Sequence, residues 1–244
     1  MNKKTPQDNI FASPLPEVVD FVFDQNVVDV FPDMINRSVP GYSTVINLIG
    51  ITAEQYAKPN SRLYDLGCSL GAASLSMRHR LTEEGCEIIS VDNAKAMIER
   101  LDKILQRDNS KTPVKTLCAD IQDVEISNAS VTVMNFTLQF IPLAERNNIM
   151  AKIYTGLNDG GCLILSEKLA FAEEENKIQT ELHHAFKKSN GYSDLEIAQK
   201  RSALENVLIP ETKETHIQRL KESGFTHVLP IFQCFNFATF LAIK

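Results

Sequence analysis

Between residues 62 and 166 short apolar runs alternate with helix-patterned segments, and this alternation restricts the fold more than any other feature of the chain. Strands are expected at Arg62–Leu66, Glu87–Val91, Val114–Cys118, Val131–Asn135 and Cys162–Ser166, and helices at Ala72–Leu81, Lys95–Gln106 and Ala144–Leu157. Apolar strands separated by helices form βαβ units, a parallel sheet covered on both faces and joined by right-handed crossovers. The pattern changes after Glu167. Two polar helical stretches within residues 173–206, joined by Ser189-Asn190-Gly191-Tyr192, have no strand between them and read as an insertion over the sheet's ligand edge. A helix over Thr212–Ser223 stops at Gly224. The runs His227–Phe232 and Asn236–Ile243 then close the chain as an antiparallel pair. The expected fold class is α/β, a mostly parallel seven-stranded sheet with an antiparallel C-terminal strand and helices on both faces.

At 244 residues the chain reads as a single domain with an extension. Residues 1–20 are polar and proline-containing and read as a loose N-terminal lead-in. Residues 21–57 form an N-terminal helical extension. Its first helix spans most of Phe21–Arg37, with Val27, Val28, Phe31 and Met34 at helical spacing. Ser38-Val39-Pro40-Gly41-Tyr42 breaks the chain, and a second helix runs over Ser43–Ala57 with Ser43 as its cap. Residues 58–244 make the ligand-binding core.

Composition excludes several classes. No apolar run approaches the roughly 18 residues that span a bilayer, and no apolar signal core follows Lys3 and Lys4, so the expectation is a cytoplasmic protein with no membrane partner. Cys68, Cys86, Cys118, Cys162 and Cys234 are odd in number, scattered and without a CxxC pair, a spacing unsuited to a disulfide framework or a zinc site, and no metal is expected. A net charge of −6 argues against a stable nucleic-acid interface.

Ligands of open α/β sheets bind outside the carboxyl ends of the strands. The first strand ends in Tyr64-Asp65-Leu66-Gly67-Cys68-Ser69-Leu70-Gly71, a glycine turn that lets backbone approach a ligand. The second is followed by Asp92-Asn93, the third by Asp120-Ile121, and the fourth ends at Asn135. Any one of these polar residues can be an ordinary cap or turn former; one after each of four strands is a constellation. Asp92, about 25 residues beyond Gly67, suits the hydroxyls of a ribose. A dinucleotide site needs a third glycine so that the pyrophosphate meets the helix N-terminus, and no glycine stands at that spacing. S-adenosylmethionine carries no phosphate, and acids after successive strands suit its ribose, amino group and adenine edge. The candidate cofactor-binding set is therefore Asp65, Gly67, Cys68, Ser69, Asp92, Asn93, Asp120, Ile121 and Asn135.

The turn D-x-G-x-S-x-G with Asp92 and Asp120 resembles the class I S-adenosylmethionine-dependent methyltransferases, whose Rossmann-like fold the alternation also fits; Ser69 departs from their usual D-x-G-x-G-x-G. A narrower resemblance runs from about residue 21 to the C-terminus. Val30-Phe31-Pro32-Asp33-Met34-Ile35, Arg37-Ser38-Val39-Pro40-Gly41-Tyr42, the turn Tyr64 to Gly71, Asn135-Phe136-Thr137-Leu138-Gln139-Phe140, Gln199-Lys200-Arg201-Ser202, Leu204-Glu205-Asn206-Val207 and Phe232-Gln233-Cys234-Phe235-Asn236-Phe237 are similar to the carboxy-S-adenosyl-L-methionine synthase family. That resemblance implies conversion of S-adenosylmethionine and prephenate to carboxy-S-adenosylmethionine and phenylpyruvate. The product passes to a partner enzyme that carboxymethylates a tRNA wobble uridine. The resemblance further implies a homodimer, and contacts to the cofactor from Tyr42, Gly67, Cys68, Ser69, Asp92, Asn93, Asp120, Ile121, Asn135 and Arg201.

In that chemistry the departing hydroxide of prephenate takes a proton from the sulfonium-activated methyl, whose carbon captures the released carbon dioxide. The protein must hold two reactants, exclude water and balance charge. Arg201 and Tyr42 are the candidate catalytic residues. An arginine can hold the new carboxylate bidentately, although Arg201 could equally pair with Glu205 on a solvated helix face. Tyr42 could stand at the site mouth or simply pack its ring. Arg37 could meet a prephenate carboxylate or bridge to Asp33. His183-His184 reads as a helix-surface or capping pair, and the phenylalanine-rich ending as core and interface. Two other readings are an ordinary small-molecule methyltransferase, and a tRNA methyltransferase or tRNA-binding partner, which the acidic balance disfavours.

Overall fold

The computed structural model describes residues 6–244; Met1 to Thr5 of the lead-in lie outside the described residues. The sheet strands are β1 (Arg62–Leu66), β2 (Glu87–Asp92), β3 (Val114–Cys118), β4 (Ala129–Asn135), β5 (Leu157–Ala170), β6 (Glu211–Thr212), β7 (His227–Cys234) and β8 (Phe237–Ile243). They order as β3-β2-β1-β4-β5-β8-β7, with β6 pairing β5 on the side. Pairs β1–β2, β2–β3, β1–β4, β4–β5 and β5–β6 are parallel, and β8 runs antiparallel to both β5 and β7. The expected sheet is present, widened by the short β6.

The helices are α1 (Gln25–Ser38), α2 (Tyr42–Tyr56), α3 (Ala72–Arg80), α4 (Lys95–Leu105), α5 (Leu143–Gly156), α6 (Glu173–Ser189), α7 (Asp194–Leu204) and α8 (Lys213–Glu222). Side chains of a strand alternate between faces. Leu63 therefore packs with Val45, Ile49 and Met77 under α2 and α3, while Leu66 joins Ile149, Ile153, Leu220 and Phe240 under α5 and α8. Burial on both faces explains why the central strands read as continuous apolar runs.

Three local expectations change. Helix α1 begins at Gln25 because Asp24 caps it, Oδ1 accepting Val27 N–H at 3.0 Å, so Phe21 and Phe23 precede the helix. Ser43 does not cap α2: the helix starts one residue earlier, after Gly41 at φ 75°. A Cβ on Gly41 would lie 2.3 Å from the Phe232 ring, so both conformation and space require glycine there.

The third change concerns the lead-in, which from residue 8 onward is strapped down. Asp8 is 2% exposed; its carboxylate accepts the Tyr192 hydroxyl, and its N–H donates to Asp33 at 2.8 Å. Gln199 on α7 donates to the Phe11 and Ser13 carbonyls and accepts Leu15 N–H at 2.7 Å, while Phe21 N–H reaches the Ala203 carbonyl at 2.9 Å. The strap is held to the α6–α7 insertion by its backbone and by the buried Asp8, while its other polar side chains, such as Gln7, Asn9 and Glu17, stay exposed.

Candidate functional site

β1 and β4 are neighbours at the centre of the sheet, where the strand order reverses, and a cavity of about 410 Å³ opens beyond their carboxyl ends. Tyr42, Asp65, Gly67, Cys68, Ser69, Asp92, Asn93, Asp120, Ile121 and Asn135 all line it. The structure therefore brings together every sequence-derived candidate except Arg201.

The glycine turn forms its floor. Gly67 has φ 80°, and a Cβ there would stand 2.3 Å from Thr137 Oγ1. Ser69, where methyltransferase turns carry glycine, adopts a left-handed φ of 50°. Its N–H donates to Asp92 Oδ2 at 2.8 Å, which helps offset the steric cost of that backbone. The other Asp92 oxygen accepts Ala94 N–H at 2.9 Å, at the start of α4. Asp92 is thus both a turn former and a cavity-lining carboxylate. Asn93 Nδ2 donates to Asp120 Oδ1 at 2.8 Å, which couples the ends of β2 and β3 at the exposed rim.

Burial dominates the electrostatics. It pushes Asp65 up to about 6, against hydrogen bonds from Ser74, and Asp92 adds to the rise. Burial likewise raises Asp92, the Cys68 thiol and the Tyr42 phenol, with Asp65 reinforcing the last two. Tyr42 therefore stays a neutral phenol, tilted against Phe136 with 6.5 Å between centroids. Among the described residues Asn135 Oδ1 is buried with no hydrogen-bond partner, an acceptor left open at the cavity wall. Phe136, the next residue, is left-handed at φ 59°. Such strained backbone persists only where its surroundings over-determine it.

What over-determines it includes a residue the sequence did not single out. Glu167 on β5 is fully buried, and its two oxygens accept Leu138 N–H and Gln139 N–H, each at 2.9 Å. Burial raises this carboxyl to about 8, opposed by those donors and by Arg146. An acid inside the apolar run was its only sequence signal.

The remaining wall is largely apolar, and it carries three lysines and a histidine that the sequence did not assign to the site. Lys168 of β5, His183 and Lys187 of α6, and Lys200 of α7 line the cavity. His183, expected on a helix surface, is 6% exposed; its Nε2 lies 2.7 Å from the Ser38 carbonyl oxygen, and burial with Lys187 beside it holds the imidazole neutral, down to about 3. Arg201 is exposed on α7 and stands outside the lining, close enough to Lys168 to help lower it. Arg37 bridges to Asp33 at 3.1 Å and stacks 3.9 Å over Tyr192, so it fastens α1 to the insertion.

The residues present fit S-adenosylmethionine: a glycine floor, acids at the ends of β1, β2 and β3, and an unpartnered amide oxygen at the end of β4. Fold and site together define a class I methyltransferase-type enzyme. Residues 63–161 match the family described as a methyltransferase domain. A putative S-adenosyl-L-methionine-dependent methyltransferase from Methanococcus maripaludis superposes with a TM-score of 0.59 at 18% identity, over 95% of this chain and 97% of that one. A cyclopropane synthase from Mycobacterium tuberculosis gives 0.57 at 15% identity, over 78% and 63%. Closer in sequence are proteins named carboxy-S-adenosyl-L-methionine synthase. That of Geobacter sp. (strain M21) is 59% identical over the full length of both chains, and that of Aliivibrio fischeri (strain ATCC 700601 / ES114) is 56% identical over 97% of this chain and 98% of its own. This chain belongs to the carboxy-S-adenosyl-L-methionine synthase family.

Proposed function

We propose that the enzyme converts S-adenosylmethionine and prephenate to carboxy-S-adenosylmethionine and phenylpyruvate, and that its product serves a separate enzyme that modifies tRNA wobble uridines. The observation that carries this reading is the division of one cavity into an acidic, glycine-floored end and a cationic end. A methyltransferase for a neutral acceptor has no use for the second.

When bound, the cofactor supplies a methyl group acidified by its sulfonium. The chain's own residues do the rest. Asp92 holds the ribose hydroxyls, Asp120 with Asn93 and Ile121 frames the adenine edge, and Asn135 Oδ1 accepts from the amino group. Tyr42, neutral and buried, closes the mouth beside Phe136 and Phe237 and excludes water, so that carbon dioxide released from the donor is captured before it escapes. Arg201 holds the new carboxylate, approaching from the rim of its own site or from a second subunit's insertion. A homodimer is supported by Ile178, Leu182 and Leu195, large apolar side chains left exposed on α6 and α7. The acidic balance favours delivering a small molecule over holding tRNA.

The test is incubation with S-adenosylmethionine and prephenate followed by mass spectrometry of the nucleoside. The expected result is a cofactor heavier by one carbon dioxide, together with phenylpyruvate. A methylated acceptor with no carboxylated cofactor would overturn the reading in favour of an ordinary methyltransferase.

A further inference from the structure

The charged groups of the cavity form two separate sets. Asp65 is raised by burial and by Asp92, with no lysine contributing to oppose it. Across the cavity, Lys187 is lowered by burial, by Lys200 and by Lys168, with no acid contributing to hold it up. Lys200 is already engaged: its Nζ lies 3.1 Å from Ser38 Oγ and 3.6 Å from Asp8 Oδ2. Lys168 and Lys187 are not. Among the described residues neither ammonium has a carboxylate within 4.0 Å or a hydrogen-bond acceptor, although Lys187 is only 8% exposed.

An ammonium held at a largely apolar wall without a counter-charge is destabilised, and a lysine side chain ordinarily extends to open solvent to avoid this. Both of these line the cavity instead, whose wall also carries Phe136 and Phe237 with their rings edge to face at 5.8 Å. Two unpaired basic groups in a cavity with aromatic lining, one of them lowered to about 7 and so ready to take up its proton beside an anion, are complementary to two carboxylates carried on an apolar ring.

We infer that Lys168 and Lys187 are the two seats of a dicarboxylate receptor that binds the carboxyl donor and sets its orientation against the cofactor. The inference rests on the function proposed above and names the groups that select its second substrate. Binding supplies the counter-charges the empty site lacks, so the donor is recognised by the relief of a strained charge pair as well as by shape. The receptor selects a ring-bearing dianion over a monocarboxylate, which leaves one seat unpaired. Lys200, anchored to Asp8 and Ser38, keeps α7 in place behind the seats.

The experiment compares Lys168→Met and Lys187→Met with the wild-type protein. Isothermal titration should show S-adenosylmethionine affinity unchanged within about twofold, while the KM for prephenate rises by roughly 10- to 100-fold, the range of a lost charge-assisted contact. The ligand-free Lys187→Met variant should melt at or above the wild-type temperature, because an unpaired, buried basic group has been removed; a merely structural lysine would lower it. An unchanged prephenate KM, or an equal loss of cofactor affinity, overturns the receptor. Benzylmalonate, an unreactive ring-bearing dicarboxylate, separates the two readings. If wild-type protein binds it and both variants do not, the receptor stands even where prephenate yields no carboxylated product, and only the proposed donor is wrong. If wild-type protein binds neither dicarboxylate, the receptor itself is refuted.

Discussion

Asp92 combines a local structural task with the ribose-binding role proposed for it. Its two oxygens fix Ser69 and Ala94, which sets both the glycine turn and the start of α4, and its carboxylate still faces the cavity. Asp92→Ala should therefore weaken S-adenosylmethionine and its carboxylated product alike, because the ribose is common to both. Calorimetry with the two ligands checks this, and unchanged binding of either removes the ribose role. Arg201 is the opposite case, an exposed side chain with no hydrogen bond or ion pair among the described residues. Arg201→Ala should lose affinity for the carboxylated cofactor by about 2 kcal/mol more than for S-adenosylmethionine, the worth of a charge-assisted contact. Equal losses would take the carboxylate from Arg201. The strand-end acids were legible in the sequence because polar residues after apolar runs fall at the ligand edge by topology. The lysines were not: Lys187-Lys188 near a helix end reads as a solvated pair favoured by the helix dipole, and only the packed insertion shows that one is buried and the other exposed.

At the scale of elements, the alternation of apolar runs and helices specified the sheet because burial on both faces leaves a strong local signature. The N-terminal strap left none. Its defining contacts join Asp8 to Tyr192 and Leu15 to Gln199 across most of the chain's length, and no local period reports such pairings. Glycine and proline at the α1–α2 break predicted the turn but not that Gly41 itself, wedged against Phe232, would stand at the head of α2. The strap and the insertion carry each other: Asp8 is the carboxylate beside the buried Lys200. Asp8→Ala should destabilise the protein by about 3–5 kcal/mol, since it strands a buried cation. It should also loosen α7. Urea unfolding measures the first effect and hydrogen exchange across residues 194–204 the second. A loss below about 1 kcal/mol would show that the strap is peripheral.

At the scale of the whole molecule, a methyltransferase-type sheet carries an N-terminal helical pair and an insertion that meet over its ligand edge. The sheet supplies the acid-lined cofactor end; β5, α6 and α7 supply the cationic end. The fold's class was readable from the alternation, and the narrower family from motifs spread along the chain; only one of them, Gln199-Lys200-Arg201-Ser202, carries a lysine of the cationic end, so Lys168 and Lys187 left no such signal. Among the described residues no helix is long and apolar enough to cross a membrane. The central claim is that carbon dioxide passes directly from donor to cofactor inside one closed cavity. The most direct measurement uses prephenate with heavy carbon in its ring carboxylate, in buffer containing excess unlabelled bicarbonate. The account predicts carboxy-S-adenosylmethionine carrying the label. Unlabelled product, drawn from the bicarbonate pool, would contradict it.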